Sequence, residues 1–291
     1  MSLVERILLP VDFSERSHGA MRYVEALAAN HDVEISVVHV TTPLNYELSA
    51  LDVGGTVLTD LSADRSAELR EQLDHFAADE LKPFRVRRIL LEGDPAKRLT
   101  EYADAERIDL IVMPTHGYGL FRRFLLGSVT AKVLHDAHCP VWTGVHLENA
   151  PVPQQIHFRK IVVAVDLCPS QALKAISWGS QMAERCGAEM VIVHAFPSLE
   201  GRSGEYFDPN WRTYFEQTAN DEIVKMQQKL GTDSPLIMEP GDPAHVVCDL
   251  AKSTGADLLV IGRGSAAGVF GRLRANAYAI IRQSPCPVVS V

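Results

Sequence analysis

Short apolar runs alternate with amphipathic stretches along the whole chain. Ile7 to Val11 and Ile161 to Val165 are two such runs, rich in Val, Ile and Leu. Uninterrupted apolar runs are typical of strands buried on both faces, and their alternation with helices predicts right-handed βαβ crossovers. The pattern therefore predicts an α/β fold, with helices on both faces of an open parallel sheet.

Helix-start signals support this interpretation. Ser14 is a suitable N-cap for a helix over residues 15–30, and Leu61 to Glu80 is predicted to form another helix. Proline stands where a first helical turn accepts it at Pro95, Pro169 and Pro243.

The same features occur twice, in the same order. They are an apolar run ending in Asp (Asp12, Asp166), a run ending in His (His39, His194), Gly-Asp-Pro-Ala (from Gly93 and Gly241) and Cys-Pro-Val (from Cys139 and Cys286). We therefore predict two copies of one five-stranded, Rossmann-like domain, residues 1–147 and 158–291. Residues 148–157 are predicted to be a linker, which Pro151 and Pro153 should make extended.

Composition and charge narrow the possible partners. The chain has 291 residues, 46% of them hydrophobic and 22% charged, which is typical of a globular protein. Its net charge of −9 argues against a nucleic-acid binder, because phosphate neutralisation needs a basic face. No apolar run approaches the roughly 18 residues of a spanning helix, so no membrane partner is predicted. The 5 cysteines are scattered and form no CxxC pair, which favours a reduced, cytoplasmic protein without a zinc site.

Candidate chemistry lies where the predicted strands end. Ligands of an open parallel sheet bind beyond the carboxyl ends of its strands, and Asp12 and Val40 follow or end the first two strands. A glycine-containing loop follows the fourth strand and leads into a helix predicted over Ser128 to Asp136. The loop and helix are basic through Arg122, Arg123 and Lys132. Glycines, a hydroxyl and a helix N-terminus together predict a phosphate site, although no Gly-Lys-Ser/Thr of a Walker A loop is present.

These residues resemble the universal stress protein family in its ATP-binding branch. The loop is similar to the family signature Gly-x2-Gly-x9-Gly-Ser/Thr, and the opening run from Pro10 to Ser14 matches as well. The resemblance covers nearly the whole chain twice and implies ATP, with Mg²⁺, as the ligand of the first copy. It implies that Asp12 and Val40 lie on the adenine and ribose side of the site. It implies that the residues around the phosphates are Gly117, Gly127, Ser128, Val129 and Thr130, and Pro10 and Gly119 are neighbouring candidates. It also implies pairing through the closing strands, as a pseudo-dimer within one chain or a homodimer.

The chain departs from the signature in both copies. Pro114 replaces the first glycine in the first copy, which removes an N–H at the loop entrance. In the second copy Arg274-Ala275 stands where the signature has Gly-Ser. We therefore expect the second copy to be degenerate, with Asp166, Gly262, Gly264 and Arg274 as its weaker binding candidates. Arg274 would still attract an anion.

Simpler interpretations remain beside the functional ones. An Asp after a strand often accepts hydrogen bonds from its own turn, and His39 and His194 are more simply packed residues than ligands. No catalytic residue and no metal ligand is predicted. The leading hypothesis is a stress-response regulatory protein that binds ATP in its first copy. The alternatives are an interaction module that binds no nucleotide and, ranked last, a slow ATPase or autokinase.

Overall fold

The computed structural model describes residues 3–29, 31–42, 55–115, 126–145, 147–196, 211–263 and 275–291. The chain divides into two compact units, Met1–Ile156 and His157–Val291. Each unit contains five parallel strands with helices in the crossovers between them.

The first unit orders its five strands as β3-β2-β1-β4-β5, and every neighbouring pair is parallel. The strands are β1 (Arg6–Pro10), β2 (Glu34–Thr41), β3 (Arg85–Glu92), β4 (Leu110–Pro114) and β5 (Val141–Gly144). The helices are α1 (Glu15–Ala28), α2 (Gly55–His75), α3 (Pro95–Ala105) and α4 (Ser128–Asp136), followed by 3₁₀ turns at Leu147–Asn149 and Pro153–Gln155.

The second unit repeats this arrangement, with the order β10-β9-β6-β7-β8. Its strands are β6 (Lys160–Ala164), β7 (Glu189–Phe196), β8 (Leu236–Pro240), β9 (Leu258–Ile261) and β10 (Val288–Ser290). Its helices are α5 (Pro169–Cys186), α6 (Trp211–Leu230), α7 (Pro243–Thr254) and α8 (Ala275–Gln283). The predicted fold class, two copies of an open parallel α/β domain, is confirmed.

The apolar runs form the centre of each sheet because helices cover both of its faces. In β1 the side chains of Ile7, Leu8 and Leu9 are fully buried, and so are those of Ile161 to Val163 in β6. Burial of each such side chain contributes about 1.5–3 kcal/mol relative to exposure.

One carboxylate in each unit fixes the start of the central strand. Asp109 Oδ2 accepts the amides of Glu5 and Arg6, at 2.9 and 2.8 Å. Asp257 Oδ2 accepts the two equivalent amides of the second unit, at 2.8 and 2.9 Å. The repeat therefore extends from the sequence to individual hydrogen bonds.

The helix starts that carry a serine cap or a first-turn proline lie where the sequence predicts them. Ser14 caps α1, and its hydroxyl accepts the Ser17 amide at 3.3 Å. Proline occupies the first turn of α3, α5 and α7, as predicted. The helix predicted over 15–30 ends at Ala28, and the one predicted over Leu61–Glu80 spans Gly55–His75. None of the described helices is long and apolar enough to cross a membrane.

Residues 148–157 do not form the extended linker that their prolines predict. Most of them belong to the first unit and contain the two 3₁₀ turns, which pack on α1. Arg16 Nε lies 3.2 Å from Glu148 Oε2, and the Arg22 guanidinium donates to the Ala150 carbonyl. The segment is folded because α1 supplies partners for its polar groups.

Candidate functional site

Each sheet has one switch point, where the chain leaves neighbouring strands in opposite directions. In the first unit β1 leads to β2 on one side, whereas the adjacent β4 leads to β5 on the other. β6 and β9 are arranged in the same way in the second unit. A crevice at the carboxyl ends of these strand pairs is the expected ligand site of an open α/β sheet.

Asp12 stands at this crevice in the first unit and organises the turn that follows β1. Its Oδ1 accepts the Ser14 amide at 3.1 Å, the Ser14 hydroxyl at 2.5 Å and the Ser17 hydroxyl at 2.6 Å. The Asp12 amide donates in turn to Ser17 Oγ, at 3.0 Å. The carboxylate therefore has a structural role, and the same bonds fix its position at the strand end.

A histidine at the end of the second strand holds the end of the first strand. His39 Nδ1 lies 2.7 Å from the Val11 carbonyl, and its ring packs on Phe13 with 4.6 Å between centroids. In the second unit His194 Nδ1 lies 2.9 Å from the Val165 carbonyl. Both histidines are hydrogen-bonded, as the sequence suggests, and each holds the residue that follows the neighbouring central strand.

Pro10 and Val40 also lie at the carboxyl edge of this sheet. Pro10 is the last residue of β1 and is in register with Val38, two residues before Val40 on β2. Both Pro10 and Val40 are half-buried. Pro10 and Val40 thus lie at the same edge of the sheet as Asp12, which follows β1.

The N-terminus of α4 lies just beyond the end of β4, because two hydrogen bonds hold it there. The Gly127 amide donates to the Thr115 carbonyl at 2.8 Å, and the Thr130 hydroxyl donates to the Pro114 carbonyl at 3.0 Å. Gly127 is the N-cap and provides no side-chain cap, so it leaves the first-turn amides of α4 without one. Of the groups predicted to bind phosphate, the Gly127 amide and the Thr130 hydroxyl are hydrogen-bonded within the protein, whereas the Ser128 side chain is exposed.

Several predicted residues are not placed. Gly117, Gly119, Arg122, Arg123, Gly264 and Arg274 lie outside the described residues. Lys132 is described, and its Nζ lies 3.2 Å from Asp94 Oδ2. Asp94 caps α3, and its pKa lies below the usual range because its carboxylate accepts the Lys97 amide and then because it faces Lys132. Sequence reasoning missed this pair, since the two residues are far apart in the chain.

The second unit has a cavity of about 160 Å³ at its switch point. Asp166 and Gly262, two of the weaker candidates, line it together with Gln171 and Asn276, and the rest of its described lining is apolar. Asp166 Oδ1 accepts the Cys168 amide at 3.0 Å. Sequence reasoning missed Gln171, because its counterpart Ser17 was not a candidate, and it missed Asn276, although that residue aligns with the candidate Val129.

The described residues also bear on metal binding and on the protonation of two buried thiols. Among the residues that the structure describes, no group of three or more His, Cys, Asp or Glu side chains is placed to hold a metal ion. Burial raises the pKa of both Cys248 and Cys286 to about 11, so these thiols stay protonated at neutral pH.

Two doubly wound parallel units, each with its switch-point crevice, place the chain among tandem α/β proteins of Rossmann-like topology. The family model of the universal stress protein family matches residues 4–143 and again residues 157–291. The chain therefore belongs to the universal stress protein family, with two such domains.

Full-length relatives support the tandem arrangement. A universal stress protein of Mycolicibacterium smegmatis is 26% identical over 296 residues, which cover 98% of this chain and 96% of that protein. A solved universal stress protein from Archaeoglobus fulgidus has a TM-score of 0.72 at 23% identity, covering 98% of this chain and 97% of its own. A solved universal stress protein in complex with cAMP is 24% identical, covers 46% of this chain and 97% of its own, and has a TM-score of 0.33.

Proposed function

We propose that this universal stress protein is a stress-response regulator whose first unit binds ATP, and that nucleotide occupancy biases its conformation or assembly. The observation that carries the proposal is the N-terminus of α4, whose N-cap Gly127 has no side chain, beside the switch-point crevice of β1 and β4. Ligand binding at such a crevice is a general property of open α/β sheets.

The phosphate side of the proposed site is the first turn of α4. Amides of a first helical turn have no acceptor within the helix, and the helix dipole adds a partial positive charge there. Gly127 has no side chain to occupy the space before this turn, and the exposed Ser128 adds a hydroxyl donor. These groups suit a phosphate chain without any catalytic side chain.

The base and ribose side of the proposed site is the end of β1 and β2. The Asp12 carboxylate is held by Ser14 and Ser17, so it is preorganised to accept a hydrogen bond from a ribose hydroxyl. Val40 offers an apolar, half-buried surface nearby on the same sheet edge. Mg²⁺ suits this site as a companion of the phosphates, because it keeps several waters and uses few protein ligands. The Ser128 hydroxyl is the protein group that would reach it.

Location and assembly complete the proposal. The scattered cysteines, which include two buried thiols, Cys248 and Cys286, support a reducing, cytoplasmic environment. We infer a homodimer as the assembly that nucleotide binding would bias.

The substitution Gly127→Arg tests the proposal, because it gives the first unit the arginine that stands at this position in the second unit. Gly127 has φ −60° and ψ 145°, values that any residue adopts, so the substitution should not strain the backbone. Isothermal titration should show a loss of ATP affinity of at least a hundredfold, because the new side chain fills the space before the helix N-terminus. Gln181→Arg adds the same group at an exposed position of α5 and should leave ATP affinity unchanged. Equal ATP affinity in wild type and Gly127→Arg would contradict the proposal.

An interaction module that binds no nucleotide is the second candidate. It is favoured by the engagement of three predicted ligand groups within the protein itself: Asp12 Oδ1, the Gly127 amide and the Thr130 hydroxyl. This candidate predicts no thermal shift at millimolar Mg-ATP. ATP binding with a Kd of one hundredth of the ligand concentration would instead add about 2.7 kcal/mol to the free energy of unfolding. Release of inorganic phosphate, or a mass gain of one phosphoryl group, would identify the third possibility, an ATPase or autokinase.

A further inference from the structure

The segment that closes the first unit is held along one face of α1. Residues 147–155, which we call the strap, contain the two 3₁₀ turns and directly precede the end of the first unit. Arg16 Nε lies 3.2 Å from Glu148 Oε2, and the Arg22 guanidinium donates to the Ala150 carbonyl. The strap is therefore attached to α1 both in its first turn and two turns further along.

Between these two attachments the backbones of α1 and the strap are in direct contact. A Cβ at Gly19 would lie 2.6 Å from the Leu147 carbonyl carbon, too close for any side chain. Because nothing separates the two segments at this point, α1 cannot shift toward the strap without displacing it. The three positions of α1 that contact the strap are not retained in the second copy, where Arg16, Gly19 and Arg22 are replaced by Ser170, Leu173 and Ile176.

The same part of α1 fixes Asp12. Ser17 follows Arg16 in the chain and is only 1% exposed. Its hydroxyl donates to Asp12 Oδ1 at 2.6 Å and accepts the Asp12 amide at 3.0 Å. A movement of α1 against the strap therefore moves the carboxylate on the proposed ribose side of the ATP site.

The start of the strap is also connected to the proposed phosphate side. The Gly144 carbonyl, at the end of β5, accepts the Thr115 amide at 3.1 Å and the Thr115 hydroxyl at 3.2 Å. The Thr115 carbonyl in turn accepts the Gly127 amide at 2.8 Å. A Cβ at Gly144 would lie 2.6 Å from Leu147 Cδ2, so the first residue of the strap packs against this point. Both sides of the proposed site thus reach the strap through short series of contacts.

Beyond Ala150 the strap is weakly held. Most of its side chains there are exposed, and Val152 is a large apolar side chain with 46% exposure. The amides of Gln155 and Ile156 donate to the carbonyls of Val152 and Pro153, within the segment itself. Segments with few buried contacts open locally at a small cost in free energy. The strap can therefore leave α1 while the sheet stays folded.

We propose that the strap is the conformational output of the nucleotide site in the first unit: it is docked on α1 when ATP is bound and is released more often when the site is empty. This inference rests on the proposed ATP site. ATP needs Asp12 and the first turn of α4 in fixed positions, and the docked strap helps to fix both. Such coupling is reciprocal, so a docked strap also raises ATP affinity. The change arises where the chain passes from the first unit into the second.

The first test is hydrogen exchange by mass spectrometry on the full-length chain, with and without saturating Mg-ATP. Peptides that cover the strap should exchange about fivefold more slowly with ATP, because coupling between two sites is typically of this size or larger. The same peptides of Gly127→Arg, which should not bind ATP, should show no dependence on ATP. Isothermal titration of the same samples reports ATP binding independently of the strap.

The second test loosens the strap without touching the proposed site. Glu148→Arg places a like charge beside Arg16 and should weaken ATP binding by about two- to fivefold, the size expected for one partly exposed ion pair. Asn149→Arg adds the same charge at the neighbouring exposed position and should leave ATP affinity unchanged. The double variant Arg16→Glu/Glu148→Arg restores an opposite-charge pair and should recover both ATP affinity and the slow exchange of the strap. A merely structural loss would not be rescued by this exchange of charges.

The outcomes separate the two proposals. ATP binding to the wild type with unchanged exchange in the strap would overturn the strap proposal and leave the ATP site intact. Equal ATP affinity in Glu148→Arg and the wild type would also overturn it, and so would equal losses in Glu148→Arg and Asn149→Arg. Absence of ATP binding to the wild type would overturn both proposals. Thermal unfolding of each variant confirms that it is folded.

Discussion

Replacement of Asp12 by alanine tests how much the turn after β1 depends on one carboxylate. The variant removes an acceptor of three hydrogen bonds, from the Ser14 amide, the Ser14 hydroxyl and the Ser17 hydroxyl. It also releases the Ser14 hydroxyl, which caps α1 by accepting the Ser17 amide.

The expected cost follows from these bonds. A hydrogen bond to a charged group contributes about 1.5–3 kcal/mol, and loss of an N-cap costs about 1 kcal/mol. Asp12 is only half-buried, so water replaces part of what is lost. We therefore expect Asp12→Ala to lower the free energy of unfolding of the first unit by about 2–4 kcal/mol. Asp12→Asn keeps a carbonyl acceptor and should cost less.

The assay must resolve one unit from the other, because two-domain proteins often unfold in more than one step. Hydrogen exchange measured by mass spectrometry does so, since peptides from α1 and α5 report separately. Asp12→Ala should accelerate exchange in α1 and leave α5 unchanged. Asp166→Ala, the matched change in the second unit, should affect α5 alone.

An effect smaller than about 0.5 kcal/mol in Asp12→Ala would refute this account of the turn, because surface substitutions without a structural role fall within that range. A loss of ATP affinity in Asp12→Asn, at nearly normal stability, would separate the role in ligand binding from the structural one.

Three further predictions test packing and protonation. Gly19→Ala would place a Cβ 1.9 Å from the Leu147 carbonyl oxygen, so α1 must move away from the 3₁₀ turn and thermal unfolding should show a loss of about 1–3 kcal/mol or more. Asp94→Ala should lower the free energy of unfolding, measured in urea, by about 1 kcal/mol at neutral pH. The loss should be smaller in acid, because the pKa of Asp94 is lowered in the folded protein and its stabilising carboxylate becomes protonated as the pH falls. Burial raises the pKa of Cys248 and Cys286 from 9.0 to about 11, so native protein should resist alkylation at both thiols, and the free energy of unfolding should decline between pH 9.0 and 11.

Most of the fold could be predicted because it depends on periodicity. The runs at Ile7 and Ile161 are continuous because both faces of each sheet are covered, and this leaves a clear signal in the sequence. The 3₁₀ turns near Glu148 and Pro153 could not be predicted, because they depend on contacts with α1 that are remote in sequence.

The candidate site was predictable to the level of strand ends but not of individual bonds. Asp12 follows β1, Val40 lies near the end of β2 and Ser128 begins α4. Sequence spacing could not show that the Thr130 hydroxyl is bonded to the Pro114 carbonyl, because that contact depends on how α4 packs. The ion pair between Asp94 and Lys132 could not be predicted from the sequence for the same reason.

Comparison of the two copies, rather than motif matching, identifies the distinctive chemistry of the second unit. Gln171 replaces Ser17, and Gly262 replaces Pro114. The two changes are connected in the structure, because a Cβ added at Gly262 would lie 3.1 Å from Gln171 Cβ.

Native mass spectrometry of the full-length chain with and without Mg-ATP tests the central claim most directly, because it counts nucleotides on each chain. The account predicts one ATP per chain in the wild type and none in Gly127→Arg. No ATP on the wild type, or one still bound after Gly127→Arg, would contradict an ATP site at the N-terminus of α4.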